Sequence, residues 1–560
     1  MKKSTIGRLV ALGIVLGVVA TTAITAVATG SSRPAPPRSD GRSSAIVVAW
    51  NVELLHIVKT PGDQPANLHP TRSFAILHAS VYDAIVSITR DGPAYLFSVP
   101  APHQARIDAA AAQAAHDSLA ALYPKLQPEL DTLLAAQLAA IPAGKPKADG
   151  IQVGSTVAAR LIADRTADGS AVVPPPFVAG TQLGDYRPTP PAFPAPVFTG
   201  WANVQPFVID SASAFRPEPP PAVTGAAYAT ALNEVKSLGQ DSSTTRTADQ
   251  TVAAKFWAPP IWNTWNEIAD RAVVAHHTNL ETSARLFAVL NLTFADSVIA
   301  FYDAKYHYLV WRPVTAIRLT EDPTWTPLAV TAADPSYPGA HSTISASGAT
   351  VLSALFGDEG PIDVTSDALP GTVRTFASYR AIATEAGLSR IYAGQHTPLD
   401  DAAGQLLGKQ VAQFILQRSK SQSFRPAPAA GPARTATELD RRIVRTIRSL
   451  PLTRSGFVRT IRWCGGAEDD GFRLALLRGE DCLADRLARS HRFEKTDGVS
   501  QRRPLPDEGA DLSLCVQLEE RLSALREEVR RSLAVKTPVQ PHNAVVLDQH
   551  VIRGRGWYAA

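Results

Sequence analysis

The sequence predicts an all-α body, and three observations carry that prediction. Apolar residues recur at helical spacing through most of residues 43–420, and no run alternates as a strand would. No internal repeat is visible, and the 44 prolines gather in connections between the periodic segments. At 560 residues the chain is too long for one hydrophobic core. With 45% apolar and 19% charged residues it is not a disordered chain. A formal charge of +4 over that length gives no reason to expect a nucleic-acid partner.

Residues 1–28 read as a Sec signal peptide: Lys2, Lys3 and Arg8 precede an uncharged stretch from Leu9 to Ala28, and Ala26-Val27-Ala28 offers a cleavage site. The stretch is also long enough to span a bilayer, so a retained anchor is the alternative, and no other membrane contact is expected. Either way the protein is expected to be secreted or held at the cell surface. Residues 29–42 form a linker, and 43–420 the helical domain. In Thr71 to Tyr82, positions 74, 77, 78, 81 and 82 fall on one apolar face. The Ala-rich stretch 106–122 and the leucine run 126–140 continue the pattern. From Pro174 to Pro221 prolines exclude helices and central strands, leaving a surface connection or a lid. Periodicity returns from Gly225 to about Gln417, broken between Asp322 and Pro338.

A Pro-rich linker, 421–434, leads into a C-terminal extension, 435–560, whose structure and role the sequence does not reveal. Residues 422–560 hold 24 Lys and Arg against 18 Asp and Glu, so the basic excess lies there and the body is mildly acidic. Cys464, Cys482 and Cys515 also lie in this part, without metal-site spacing. Leu518, Leu522, Leu525 and Val529 mark an amphipathic helix, whose arginines alternate with acids.

Three segments of the body carry the chemistry. In Lys305 to Pro313, the seven-residue spacing places Lys305 and Arg312 on one side of a helix, a point charge and a planar fork suited to one oxyanion. Pro335 to Ser342 is a Pro/Gly turn running into an apolar helix, with His341 at its start and free N–H groups facing any anion. Ser389 to Asp400 holds Arg390 and His396; Pro398 suits a helix start with Thr397 as its cap. Asp400 fits two roles, the far half of a capping box and a hydrogen-bond acceptor for His396; both hold only if its carboxylate is shared.

The ordered set Lys-x6-Arg-Pro, Pro-x-x-His, Ser-Arg-x5-His-x3-Asp resembles the three-part signature of the vanadium-dependent haloperoxidases and type 2 phosphatidic acid phosphatases. The resemblance extends over roughly residues 45–417, including Ala49-Trp50-Asn51, Thr71 to Ile88 and Phe256 to Pro260, and is greatest to soluble bacterial haloperoxidase-like proteins. It implies a helical bundle with an oxyanion pocket between helices. By position, His396 would be the vanadate ligand and therefore the metal-binding residue, or a phosphate-accepting nucleophile. Lys305, Arg312 and Arg390, with the backbone at Gly339 and Ala340, would bind the oxyanion. His341 would be the acid–base residue, Lys305 would polarise bound peroxide, and Asp400 would orient His396. The implied cofactor is vanadate, with phosphate as the alternative occupant. The implied partners are hydrogen peroxide and a halide or small organic substrate; oligomeric state is not legible.

The implied activity is a vanadate-dependent peroxidase. The alternatives are a phosphomonoesterase acting through a phosphohistidine, and an anion-binding protein with weakened chemistry. Two departures bear on the choice. The family's usual Pro-Ser-Gly-His is here Pro338-Gly339-Ala340-His341, which removes a serine hydroxyl that Ser342 is a candidate to replace. Asp334 stands seven residues before His341, where chloride- and bromide-oxidising relatives tend to have Phe and His, and a carboxylate there repels a halide unless neutralised. Elsewhere, His276-His277 is expected on the surface or at a cap, His78 as a satisfied core histidine, and Trp257, Trp262 and Trp265 in packing.

Overall fold

Helix α9, Leu280–Tyr308, is the pillar of the fold, and 22 of its 29 residues are buried. A computed structural model describes residues 43–421 and 424 of the chain. The expected signal segment, both linkers almost entirely, and the C-terminal extension with its cysteines lie outside the described residues. The helices that precede α9 are α1 (Ala45–Lys59), α2 (Pro70–Thr89), α3 (Ile107–Leu122), α4 (Gln127–Ala139), α5 (Lys145–Arg165), α6 (Ala226–Leu238), α7 (Ala248–Phe256) and α8 (Ile261–Ala275). Those that follow are α10 (Pro313–Thr320), α11 (Ala340–Phe356), α12 (Tyr379–Tyr392) and α13 (Pro398–Arg418).

The packing follows chain order. Helices α2, α3 and α5 form one group, α11, α12 and α13 another, and α9 packs against α2 on one side and α11 and α13 on the other. By length and composition α9 could cross a membrane, yet 94% of its most apolar window is buried inside this fold. It is the core helix of a bundle. The close approach of α11 and α13 depends on small residues: a Cβ on Gly404 would meet the Gly339 carbonyl at 2.4 Å, and one on Gly408 the Thr343 carbonyl at 2.0 Å. That contact draws the start of α11 onto the start of α13, where Gly339 N–H donates to the Asp400 carbonyl at 2.9 Å.

The all-α expectation holds, with corrections. Helix α2 does not have one apolar face: residues 71–88 are all buried, because α3, α5 and α9 cover it together. A two-stranded antiparallel hairpin, β1 (Ile362–Thr365) and β2 (Val373–Phe376), interrupts the helical region. Each strand has four residues, too few for an alternating pattern to stand out. The proline-rich connection does lack α-helix, apart from a single 3-10 turn at Trp201–Asn203. It is tied to the fold at defined points: Tyr186 N–H donates to Leu309 O at 2.6 Å, Trp311 N–H to Gly184 O at 2.8 Å, and Val197 N–H to Ala333 O at 2.9 Å. Further along, the buried Asp296 of α9 accepts the N–H groups of Phe207, Val208 and Ile209 at 2.6–2.8 Å. The connection is thus a strap over the C-terminal end of α9.

Candidate oxyanion site

Lys305 and Arg312 do not share a helix. Helix α9 ends at Tyr308, Leu309 takes a left-handed conformation (φ 50°, ψ 39°), and Arg312 caps α10 from the N-terminal side. A seven-residue spacing reads equally as two turns or as helix, break and helix, so the sequence could not separate them. The two cations nonetheless converge, because both turn toward the loop 334–339.

That loop is where the site departs most from the expectation. The Asp334 carboxylate is buried between Lys305 and Arg312: one oxygen is 3.5 Å from Lys305 Nζ and the other accepts from Arg312 Nη2. Arg312 Nε also donates to the Asp334 carbonyl at 2.7 Å. Burial alone would push the carboxyl up, but the two cations, with Lys305 foremost, hold it below its ordinary range. Lys305 is pulled down to about 8 by burial, and Asp334 limits the fall. The feared repulsion of a halide is therefore compensated in this state.

His396 lies in the short loop between α12 and α13. Its Nε2 is 3.2 Å from Arg312 Nη1, which can only donate, so Nε2 carries the lone pair and Nδ1 the proton. Nδ1 is 3.4 Å from Asp400 Oδ2. The same Oδ2 accepts from Thr397 N–H at 2.7 Å and from Ser336 Oγ at 2.7 Å, so the carboxylate is shared and both roles foreseen for Asp400 are filled. Burial and then Arg312 lower His396 to about 3, which keeps it neutral. A neutral imidazole with a bare Nε2 is what a ligand or a nucleophile requires.

Arg390, in the last turn of α12, donates to the Trp257 carbonyl at 3.3 Å and to Gln395 Oε1, while its Nε is buried with no partner. Burial and the neighbouring Arg312 lower it to about 10, so it stays charged. His341, in the first turn of α11, directs Nε2 to the same Trp257 carbonyl at 3.0 Å. The ring keeps some solvent contact, yet the protein around it, then Arg390 and His396, hold it well below its ordinary value. Ser342 does not replace the missing serine: it is buried and bonded to Asp401. Gly339 and Ala340 stand where expected, as cap and first residue of α11. All the predicted site residues thus fall in one region between α9, α11, α12 and α13.

Residues 285–423 match the family model of the VCPO second helical-bundle domain. Among solved structures, a bacterial vanadium-dependent iodoperoxidase is similar with a TM-score of 0.59 at 23% identity, covering 68% of this chain and 96% of that one. The apo and holo forms of a bacterial vanadium-dependent chloroperoxidase are similar with TM-scores of 0.51 and 0.50, at 14% and 15% identity. Those cover 63% and 64% of this chain and 95% and 97% of theirs. No curated protein matches. Over residues 285–423 the chain is similar to that family, and its body shares the helical fold of these bacterial peroxidases.

The site suits an oxyanion better than a bare metal ion. Among the described residues no group of three or more His, Cys, Asp or Glu could hold a metal ion. The unpartnered Arg390 Nε, the open Nε2 of His396 and the free N–H groups that begin α11 together fit a tetrahedral oxyanion carrying its own negative charge.

Several site elements escaped the sequence reading. Trp257 contributes its backbone carbonyl, which no side-chain pattern announces, while its indole donates to Glu385 at 2.9 Å. Ser336 and Gln395 lie inside the recognised segments, but their polar side chains carry no spacing signal. His69 caps α2 and lies tilted against Trp262, with ring centroids 4.4 Å apart. Trp265 is core packing, donating to Ser345 at 3.0 Å. His276 caps α8 against Phe356. His78 is only half satisfied, with Nε2 on Asn51 at 3.0 Å and Nδ1 without a partner.

Proposed function

We propose that the protein is a vanadate-dependent peroxidase that oxidises a halide or a comparable small nucleophile with hydrogen peroxide. One observation carries this reading: His396 presents a neutral, lone-pair-bearing Nε2 beside Arg312, with its other nitrogen turned to Asp400. The likeness to bacterial iodo- and chloroperoxidases supports it. Export through the segment read at residues 1–28 would place the chemistry outside the cytoplasm.

In this reading vanadate would be held by His396 Nε2, by Arg390 and by the N–H of Ala340, with Lys305 and Arg312 supplying positive charge beside it. When bound, it supplies a Lewis-acidic centre that activates hydrogen peroxide without changing oxidation state. The chain does the rest. Asp400, anchored by Ser336 and Thr397, fixes the His396 tautomer. Arg390 and Arg312 balance charge in a site from which water is largely excluded, where each contact counts for more. His341, with Nε2 turned to the Trp257 carbonyl, would take the proton from hydrogen peroxide.

The same lone pair could attack phosphorus, which keeps a phosphomonoesterase as the rival reading. The test is the purified chain assayed with vanadate, hydrogen peroxide and bromide or iodide, and separately with a phosphomonoester and no vanadate. Vanadate-dependent halide oxidation lost in His396→Ala is expected. Phosphomonoester turnover inhibited by vanadate would replace this reading with the rival, and silence in both assays would leave an anion-binding protein.

A further inference from the structure

Donor accounting at the cage shows that two of its three cations are already engaged. Lys305 has three N–H groups, and Pro335 O, Ser336 O at 3.4 Å and Asp334 Oδ2 at 3.5 Å take all three. Arg312 gives Nε and an Nη2 N–H to Asp334, and Nη1 to Gln395 O at 3.0 Å and His396 Nε2. Of the three, only Arg390 has a buried nitrogen with no partner at all. Asp334 is not a surface acid straying inward: it is buried, and Tyr186, Tyr302, Tyr306 and His69 lie close enough to feel its charge.

We propose that Asp334 is a tethered counter-anion that sets the charge of the oxyanion this site accepts, favouring monoanions over dianions. The charge count gives the reason. Lys305, Arg312 and Arg390 face the two carboxylates Asp334 and Asp400, and His396 turns a lone pair, not a charge, to Arg312, so one net positive charge remains. A monoanion neutralises it. A dianion leaves an uncompensated negative charge in a buried region, which is costly. Without the carboxylate the count would be two, and a dianion would match. The inference rests on the peroxidase reading and deepens it: in neutral water, vanadate is chiefly a monoanion, whereas a phosphomonoester is largely a dianion. The residue that looked like an obstacle to a halide is then a filter on the cofactor.

Tungstate and perrhenate test this directly, being tetrahedral oxyanions of similar size that carry two charges and one at neutral pH. Binding of each to the full-length protein is measured by calorimetry, for the natural chain and for Asp334→Asn. The natural chain is expected to hold perrhenate at least as tightly as tungstate. Asp334→Asn is expected to shift the ratio toward tungstate by about tenfold or more. A natural chain that prefers tungstate tenfold overturns the inference without needing the variant, as does an equal change for both ions in a folded Asp334→Asn. Failure of both ions to bind overturns the oxyanion site itself, and the inference with it.

Discussion

The protein buries carboxylates in two ways, and the contrast separates its chemistry from its scaffold. Asp83 and Asp296 each accept three backbone N–H groups, from residues 95–97 and 207–209. Among the described residues no cation bonds to either, and burial pushes them up to about 7 and about 6. Asp334 and Asp400 are equally buried, but Lys305 and Arg312 face the first and His396 the second, and both are held below the ordinary carboxylate range. The first pair pins bent loop segments onto α2 and α9. The second pair holds reactive or charged side chains in place. Burial raises all four; only at Asp334 and Asp400 is the opposing interaction strong enough to reverse it.

Variants should therefore lose different things in the two regions. The largest effect is expected at Arg390→Ala, which removes an oxyanion cation: kcat/KM for vanadate-dependent halide oxidation should fall by about 10²–10³-fold. Unchanged kinetics would remove Arg390 from the site. Next is Asp296→Ala, which strands three buried N–H groups and should cost about 3 kcal/mol in denaturant unfolding. Below its melting range that variant should keep kcat/KM within about threefold of the natural chain. A large kinetic loss in the folded variant would break the division between scaffold and cage.

Asp400→Asn should do the reverse. It keeps an acceptor for Thr397 but loses the countercharge of His396, so turnover should fall by about 10–100-fold, while thermal stability changes by only a few degrees. A collapse in melting temperature would assign Asp400 to the scaffold.

The smallest effect concerns pH. Asp270 is pushed up to about 7 by burial, with Asn51 donating at 2.9 Å to one oxygen and no partner for the other. Its folded value lies above the unfolded one of 3.8, so the folded state holds the proton more tightly. That stabilisation is complete below pH 3.8 and is lost as pH rises through about 7. Asp270→Asn should flatten this slope in urea unfolding measured across the range, and an unaltered slope would show that Asp270 does not titrate there.

What the sequence disclosed follows the same division. His341, Arg390, His396 and Asp400 were legible because their side chains stand at helix ends, where Pro, Gly and Thr mark the positions. The pins were not, since Asp83 and Asp296 bond to backbone N–H groups distant in sequence, which leave no residue pattern. The all-round burial of α2 was hidden for a related reason: its exposure depends on three other helices. The break at Leu309 was missed because an isolated left-handed leucine has no signature, and with it the true placement of Arg312. The charge of Asp334 was read correctly from its position, but not its pairing with Lys305 and Arg312.

The central claim is that His396 Nε2 and its cage form the oxyanion site. A crystal structure of the protein soaked with vanadate tests it most directly. Density joined to His396 Nε2, with Arg390 Nε now donating to a vanadate oxygen, is the expected result. Vanadate bound elsewhere, with His396 still facing Arg312 alone, would contradict the account.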